Sequence, residues 1–127
     1  EGATDMQDRL THTVIGAAIE VHRTLGPGLL ESAYQKCLFH ELILRGLNVA
    51  RQVMLPVSYK GLDLDYTYRI DLLVDDRLVI EIKALDQVHP VHKAQLLSYL
   101  RLGNYPIGLL LNFHTEVLKN GIIRMVN

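Results

Sequence analysis

Three ionisable residues stand close together in the stretch YRIDLLVDDRLVIEIKALDQ, from Tyr68 to Gln87: Asp71, Glu81 and Lys83. The segments that carry them are otherwise built like the interior of a sheet. Burying unpaired charge is expensive, so each of these groups must be paired, coordinated to a metal or near water. Strand alternation puts them on a common side. Leu62, Leu64, Tyr66, Tyr68, Ile70, Leu72 and Val74 form an apolar row on even numbers, opposite Asp63, Asp65, Thr67, Arg69 and Asp71. After the DDR turn, Leu78, Ile80, Ile82 and Ala84 continue the even row, opposite Val79, Glu81 and Lys83.

If Asp75, Asp76 and Arg77 form the loop of a hairpin, Asp71 stands opposite Glu81, with Cβ atoms about 4.5–5.5 Å apart. A two-residue loop would instead put them on opposite faces, unless a bulge corrected it. Two carboxylates that close repel unless a cation lies between them. Mg²⁺ suits the position, because it takes hard oxygen ligands and commonly keeps several waters. Lys83 points the same way at about 6.6–7 Å along the strand. There it can stabilise developing negative charge or help orient a water made nucleophilic by the metal. The strand from Ile80 to Ala84 is then expected to be buried on its even face and open to a cleft on its odd face. A solvated sheet face with a weak salt bridge is the competing reading. The three residues alone do not separate the two.

The elements that must position these groups follow from periodicity. Met6, Leu10, Val14, Ala17 or Ala18, Val21 and Leu25 mark an amphipathic helix from about Asp5 to Leu25, with Thr4 or Asp5 as N-cap. The GPG at 26–28 breaks it. A second helix is expected from about Leu29 to Arg45, stopped by Gly46 as a left-handed cap. Val49, Val53, Leu55, Val57 and Tyr59 then alternate as a half-buried strand, and KGLD turns the chain into the row described above. His89 and Pro90 open a third helix to about Leu102, with Pro at the first helical position. PIGLLLNF, 106–113, is continuously apolar and reads as a strand covered on both faces. KNGIIRMV ends the chain as an Asn-Gly turn and a short strand. The order helix, helix, three strands, helix, strand, strand is α/β with a mixed sheet.

Other residues carry weaker signals. Glu31 falls in the first turn of its helix, where exposed amides and the helix dipole favour a carboxylate, so capping alone would account for it. His92, Gln95 and Tyr99 share one helical face, either toward solvent or toward the carboxylate strands. His89 and His92 have a metal-compatible spacing without further zinc ligands. Glu20 and His22 border the helix stripe as weaker candidates. Gly26 and Gly28 fit turn and cap positions and no phosphate-binding loop. Cys37 reads as a small core residue, and Tyr34 either orients Glu31 or packs.

Bulk properties bound the answer. With 127 residues the chain is most economically one domain over residues 1–127. Hydrophobic residues at 49% and charged residues at 21% describe an ordinary globular protein. A single cysteine excludes an internal disulfide framework and gives no zinc-ligand spacing, which makes a reducing cytoplasm the expected compartment. No apolar run is long enough for a membrane span, and the first residues lack the pattern of a signal peptide. The net charge is −1, with thirteen Lys and Arg scattered singly, so the linear sequence shows no basic stripe of the kind that grips duplex nucleic acid.

Asp71 followed by Glu81-Ile82-Lys83 resembles the Asp…(D/E)xK signature of the PD-(D/E)xK nuclease superfamily. LGPGLLESAY, with Gly28, Glu31 and Tyr34, resembles the hallmark of the GxxExxY family, as do IGAAIEVHRTLGPG before it and HPVHKAQLLSYL after it. The resemblance covers almost the whole chain. It implies a restriction-endonuclease-like core in the order αβββαβ, preceded by an extra helix, and a metal-dependent nuclease using Mg²⁺ or Mn²⁺ on a nucleic acid. By the same resemblance Asp71 and Glu81 become metal ligands, with Glu31 as a third carboxylate and the Ile82 carbonyl as a further ligand. Lys83 becomes the catalytic lysine, and Gln95 the polar residue beside the site. Ile70 departs from the pattern, standing where Pro precedes the aspartate. A nuclease fold used for binding or regulation without turnover is the alternative, and a homodimer is an expectation carried over from nucleases that cut both strands.

Overall fold

The computed structural model describes residues 3–127, apart from the side chains of residues 3–4 and 65–67. The places given above to Thr4, Asp65, Tyr66 and Thr67 therefore concern side chains outside the described residues. The elements are α1 (Ala3–Leu25), α2 (Glu31–Leu44), β1 (Val49–Tyr59), β2 (Leu62–Val74), β3 (Leu78–Lys83), α3 (Pro90–Gly103), β4 (Ile107–Asn112), a 3₁₀ turn (Leu118–Gly121) and β5 (Ile122–Val126). One sheet holds all five strands in the order β1-β2-β3-β4-β5. Only the β3–β4 pair is parallel, since it is the pair joined by a helical crossover, α3. The segment α2-β1-β2-β3-α3-β4 has the expected restriction-endonuclease-like order, with α1 as the extra helix.

Helices cover the sheet on both faces. The stripe Leu10, Val14, Ala17 and Val21 of α1 and the stripe Tyr34, Leu38 and Leu42 of α2 pack on Leu72, Val74, Leu78, Ile80, Ile82, Leu109 and Leu111. On the other face Leu96, Tyr99 and Leu100 of α3 pack on Leu55, Ile70, Leu73, Val79 and Leu110. The central strands β3 and β4 are thus buried on both sides, as the unbroken apolar run of β4 predicts. Gly46 closes α2 at φ 81°, with the Gly46 and Leu47 amides donating back to the Ile43 and Leu42 carbonyls.

Several expectations need correction. Helix α1 already includes Ala3, so Thr4 and Asp5 lie inside it, and Asp5 pairs with Arg9 one turn on, at 2.8 Å. Cys37 is exposed, because the buried stripe of α2 runs through Tyr34, Leu38 and Leu42 and leaves Cys37 off its axis. Asn120 and Gly121 do not form a two-residue hairpin turn; they close the 3₁₀ turn, with the Asn120 amide bonded to the Val117 carbonyl. The even row of β2 also does not stay on one face. Ile70 packs under α3 while Leu72 packs under α1 and α2. The switch lies opposite Gln52, whose φ is +54°; Arg51 pairs with Leu72 and Val53 with Ile70 on either side of it. Along the β1–β2 hairpin Met54, Tyr59 and Leu62 are exposed.

Gly121 is where β4 and the last turn come closest. A Cβ there would stand 2.2 Å from the Asn112 carbonyl oxygen, a backbone atom that cannot swing away. Gly121→Ala is expected to destabilise the fold by about 3 kcal/mol. Urea unfolding checks this, with Gly28→Ala, whose Cβ meets nothing within 4 Å, as the comparison.

Candidate active site

The loop between β2 and β3 decides the register. Asp75 and Asp76 adopt φ of 54° and 53°, and the Arg77 amide returns to the Val74 carbonyl at 3.0 Å. Aspartate tolerates this left-handed geometry better than most residues. With Arg77 as the third loop residue, Val74 pairs with Leu78 and Leu72 with Ile80. The next positions along are Asp71 and Glu81, and there the ladder stops. Strand amides stranded between buried layers need acceptors, and the two carboxylates supply them. The Ile82 N–H donates to Asp71 Oδ2 at 2.8 Å, and the Asp71 N–H donates to Glu81 Oε1 at 3.3 Å. Each side chain thereby fills the fork with the other strand's backbone, and the two carboxylates are held side by side.

That placement is electrostatically costly. Glu81 is only 5% exposed, and burial, followed by the negative charge of Asp71, pushes its carboxyl up to about 8. Asp71 is also raised, first by burial and then by the charge of Glu31, while the Ile82 amide and the charge of Lys83 act against the shift. Lys83 likewise favours the ionised form of Glu81. From the half-buried end of β3 its charge therefore acts on both carboxylates.

Glu31, the first residue of α2, reaches the same end of β3. Its Oε2 accepts the Ala84 N–H at 3.2 Å. Among the described residues no group of three or more Asp, Glu, His or Cys side chains stands close enough to hold one metal ion. The close pair is Asp71 and Glu81, with Glu31 at the rim. From α3, Gln95 Nε2 donates to the Tyr99 hydroxyl at 3.2 Å. Burial and the charges of Glu81 and Asp71 raise the Tyr99 hydroxyl, which places it beside the pair. So the odd face of β3 is not an open cleft. Val79 and Glu81 are buried beneath α3, and the site opens only at Lys83 and beyond.

The remaining candidates have structural tasks. The Tyr34 hydroxyl accepts the Leu29 N–H and donates to the Gly26 carbonyl, and its ring stacks on Phe113 at 4.4 Å. Tyr34 therefore fastens the 26–30 loop that leads into Glu31, without touching the carboxylate. Gly26, at φ 75°, ends α1. His92 Nδ1 accepts the His89 N–H at 3.0 Å, so these histidines shape the start of α3. His22 contacts the Thr115 carbonyl, and Glu20 the neighbouring Arg23 and Thr24. Two residues the sequence did not single out matter here. Buried Asn112 accepts the Leu85 N–H and donates to the Leu85 carbonyl, both at 2.9 Å, fixing the chain just after Lys83. A lone amide ending the run GLLLN was the available signal. The other is Tyr68, whose ring meets Tyr99 at 5.9 Å and 50°.

The family model of the PD-(D/E)XK nuclease superfamily matches residues 8–125, from α1 into β5. The chain belongs to that superfamily. Searches of curated proteins and of solved structures return no match. Among the described residues no helix is long and apolar enough to cross a membrane.

Proposed function

We propose that this PD-(D/E)XK protein is a divalent-metal-dependent nuclease that hydrolyses phosphodiester bonds, and that Gly28, Glu31 and Tyr34 mark it as a GxxExxY-type member. The observation that supports this most is the β2–β3 fork, where buried Glu81 and half-buried Asp71 are held together by each other's backbone amides. The donor set suits Mg²⁺ or Mn²⁺: hard oxygens, mutual repulsion that a dication would relieve, and both carboxyls raised in its absence. Asp71 and Glu81 would hold the ion, with the Ile82 carbonyl as a further ligand and Glu31 acting from the rim. When bound, such an ion lowers the pKa of water and offsets charge on a phosphoryl oxygen. Lys83 places a positive charge where negative charge grows as water adds to phosphorus and the P–O bond to the leaving oxygen breaks. Gln95 and Tyr99 wall the site on the α3 side.

The direct test is cleavage of single- and double-stranded DNA and RNA panels with Mg²⁺ or Mn²⁺, with EDTA and with Glu81→Ala. Metal-dependent cleavage lost in the variant is the expected result; equal cleavage by the variant would overturn the assignment. Metal binding has its own readout. Mn²⁺ at a hundred times its dissociation constant should stabilise the wild type by about 2.7 kcal/mol, read as a rise in melting temperature. Glu81→Ala should remove most of that gain.

A catalytically silent binding module is the second reading. It is favoured by how the cations are used: Arg9, Arg23, Arg45 and Arg124 pair with surface carboxylates, and Arg51 lies over Phe39. Under that reading, a partner captured by pull-down stays bound to Glu81→Ala.

A further inference from the structure

Beside the carboxylate pair, a groove of about 400 Å³ runs between the outer β1–β2 hairpin and α3. Leu64 and Leu102 form its apolar margins, Tyr99 its floor and Tyr68 a wall, while Gln95 and Ser98 add an amide and a hydroxyl along its length. Tyr68 is 39% exposed and Tyr99 6%, so one ring stands at the surface and the other is set into the core. The 50° tilt between them makes a corner, so the two rings do not stack on each other. Gln95 gives one amide hydrogen to the Tyr99 hydroxyl, which fixes the amide plane and leaves its carbonyl oxygen for another donor.

The groove joins the site through the backbone. Tyr68 precedes Asp71 by three residues on β2, and Tyr99 packs with Ile70 and Val79, the chain neighbours of Asp71 and the fork. Asp71, Glu81 and Lys83 are not part of the groove lining; the link to them is Tyr99, which lines the groove and whose hydroxyl feels the charges of Glu81 and Asp71.

We propose that this groove is a nucleobase subsite, and that the substrate of the nuclease read above is single-stranded, or unpaired at the scissile nucleotide. The assignment rests on that nuclease reading for the phosphate and on the groove for the base. A planar heterocycle fits a slot with an aromatic wall, apolar margins and a fixed amide able to meet its hydrogen-bonding edge. A duplex keeps its bases paired and stacked and has none to offer. The charge pattern points the same way. The net charge is −1, and among the described residues Arg9, Arg23, Arg45 and Arg124 stand in surface ion pairs, so the chain has no surplus of positive over negative charge to offer phosphates. Base stacking is an affinity source independent of charge.

The experiment measures binding of fluorescein-labelled twelve-nucleotide probes in EDTA: single-stranded DNA, single-stranded RNA, the DNA duplex, and a single strand of abasic sites. The expected result is that the base-bearing strands bind on the order of tenfold or more tighter than the abasic strand and the duplex. Tyr68→Ala should weaken the single strand by roughly 10- to 100-fold, and Tyr68→Phe should retain binding, because the ring face does the stacking. Ser98→Phe, which fills the groove without removing either tyrosine, should lose binding as Tyr68→Ala does. Equal affinity for the abasic strand, or wild-type affinity in both Tyr68→Ala and Ser98→Phe, overturns the subsite. Cleavage is scored separately. Metal-dependent cleavage by a protein indifferent to abasic sites would sink the subsite and leave the nuclease standing. Tyr68-dependent binding without cleavage would do the reverse.

Discussion

Lys83→Met should lower the rate of metal-dependent cleavage by on the order of 100- to 1000-fold, the loss typical of removing one group aimed at transition-state charge. Methionine keeps much of the length and apolar character of the lysine stem at this half-buried position, so the fold is expected to survive. The same substitution removes the positive charge that favours the ionised forms of Asp71 and Glu81. Without that neighbour the carboxylate pair is more repulsive and attracts a dication more strongly. Mn²⁺ should therefore bind the variant at least as tightly as the wild type at alkaline pH, as titration by melting temperature would show. The two readouts move apart: chemistry is lost while metal affinity is held or gained. A merely structural lysine would lower both together. If Lys83→Met cleaves at the wild-type rate with metal bound, the catalytic role assigned to Lys83 is wrong.

The carboxylate pair was legible in the sequence because a three-residue loop sets the β2–β3 register. Asp75, Asp76 and Arg77 are of the right type and number for it, and the amide bonds of the fork follow. The buried strands were legible for a similar reason, since an apolar run such as that of β4 has no solvated face to alternate with. What escaped the sequence depends on contacts between distant segments. Gln52 carries no mark of its left-handed backbone, because glutamine is not chosen for it, and yet the face switch between Ile70 and Leu72 occurs opposite it. Periodicity extrapolated across that point puts both residues on one side. The same extrapolation made the odd face of β3 a cleft, because the sequence of α3 does not show that Leu96, Tyr99 and Leu100 lie over it. Gly121 looked like a turn glycine, whereas its backbone meets the Asn112 carbonyl, a contact between residues nine apart that no local pattern encodes.

In the absence of divalent metal, the protein should be less stable at pH 8.5 than at pH 5.5, against the usual expectation that carboxylates stabilise a fold as they ionise. Glu81 is the cause. Below about 4.5, its ordinary value, the carboxyl is protonated in folded and unfolded chains alike, and its burial carries no charge. Between there and about 8 the unfolded chain releases the proton while the folded chain retains it. The unfolded chain binds fewer protons, so stability falls as pH rises through this window and stops falling above it. Each tenfold change in proton affinity is worth about 1.4 kcal/mol, so the part of this window between pH 5.5 and about 8 sets an upper bound of roughly 3.5 kcal/mol on the difference. For a chain of this size that corresponds to a drop in melting temperature on the order of 10 °C. Glu81→Gln, which keeps the shape and cannot ionise, should flatten the profile over this range, and a variant as steep as the wild type would remove Glu81 as its source. Adding Mn²⁺ should oppose the trend, because the ion takes ionised carboxylates and displaces the proton. Its stabilising effect should therefore be small near pH 5.5 and grow toward pH 8.5. A Mn²⁺ effect that stays constant across that range would mean the ion binds somewhere other than the fork between Asp71 and Glu81.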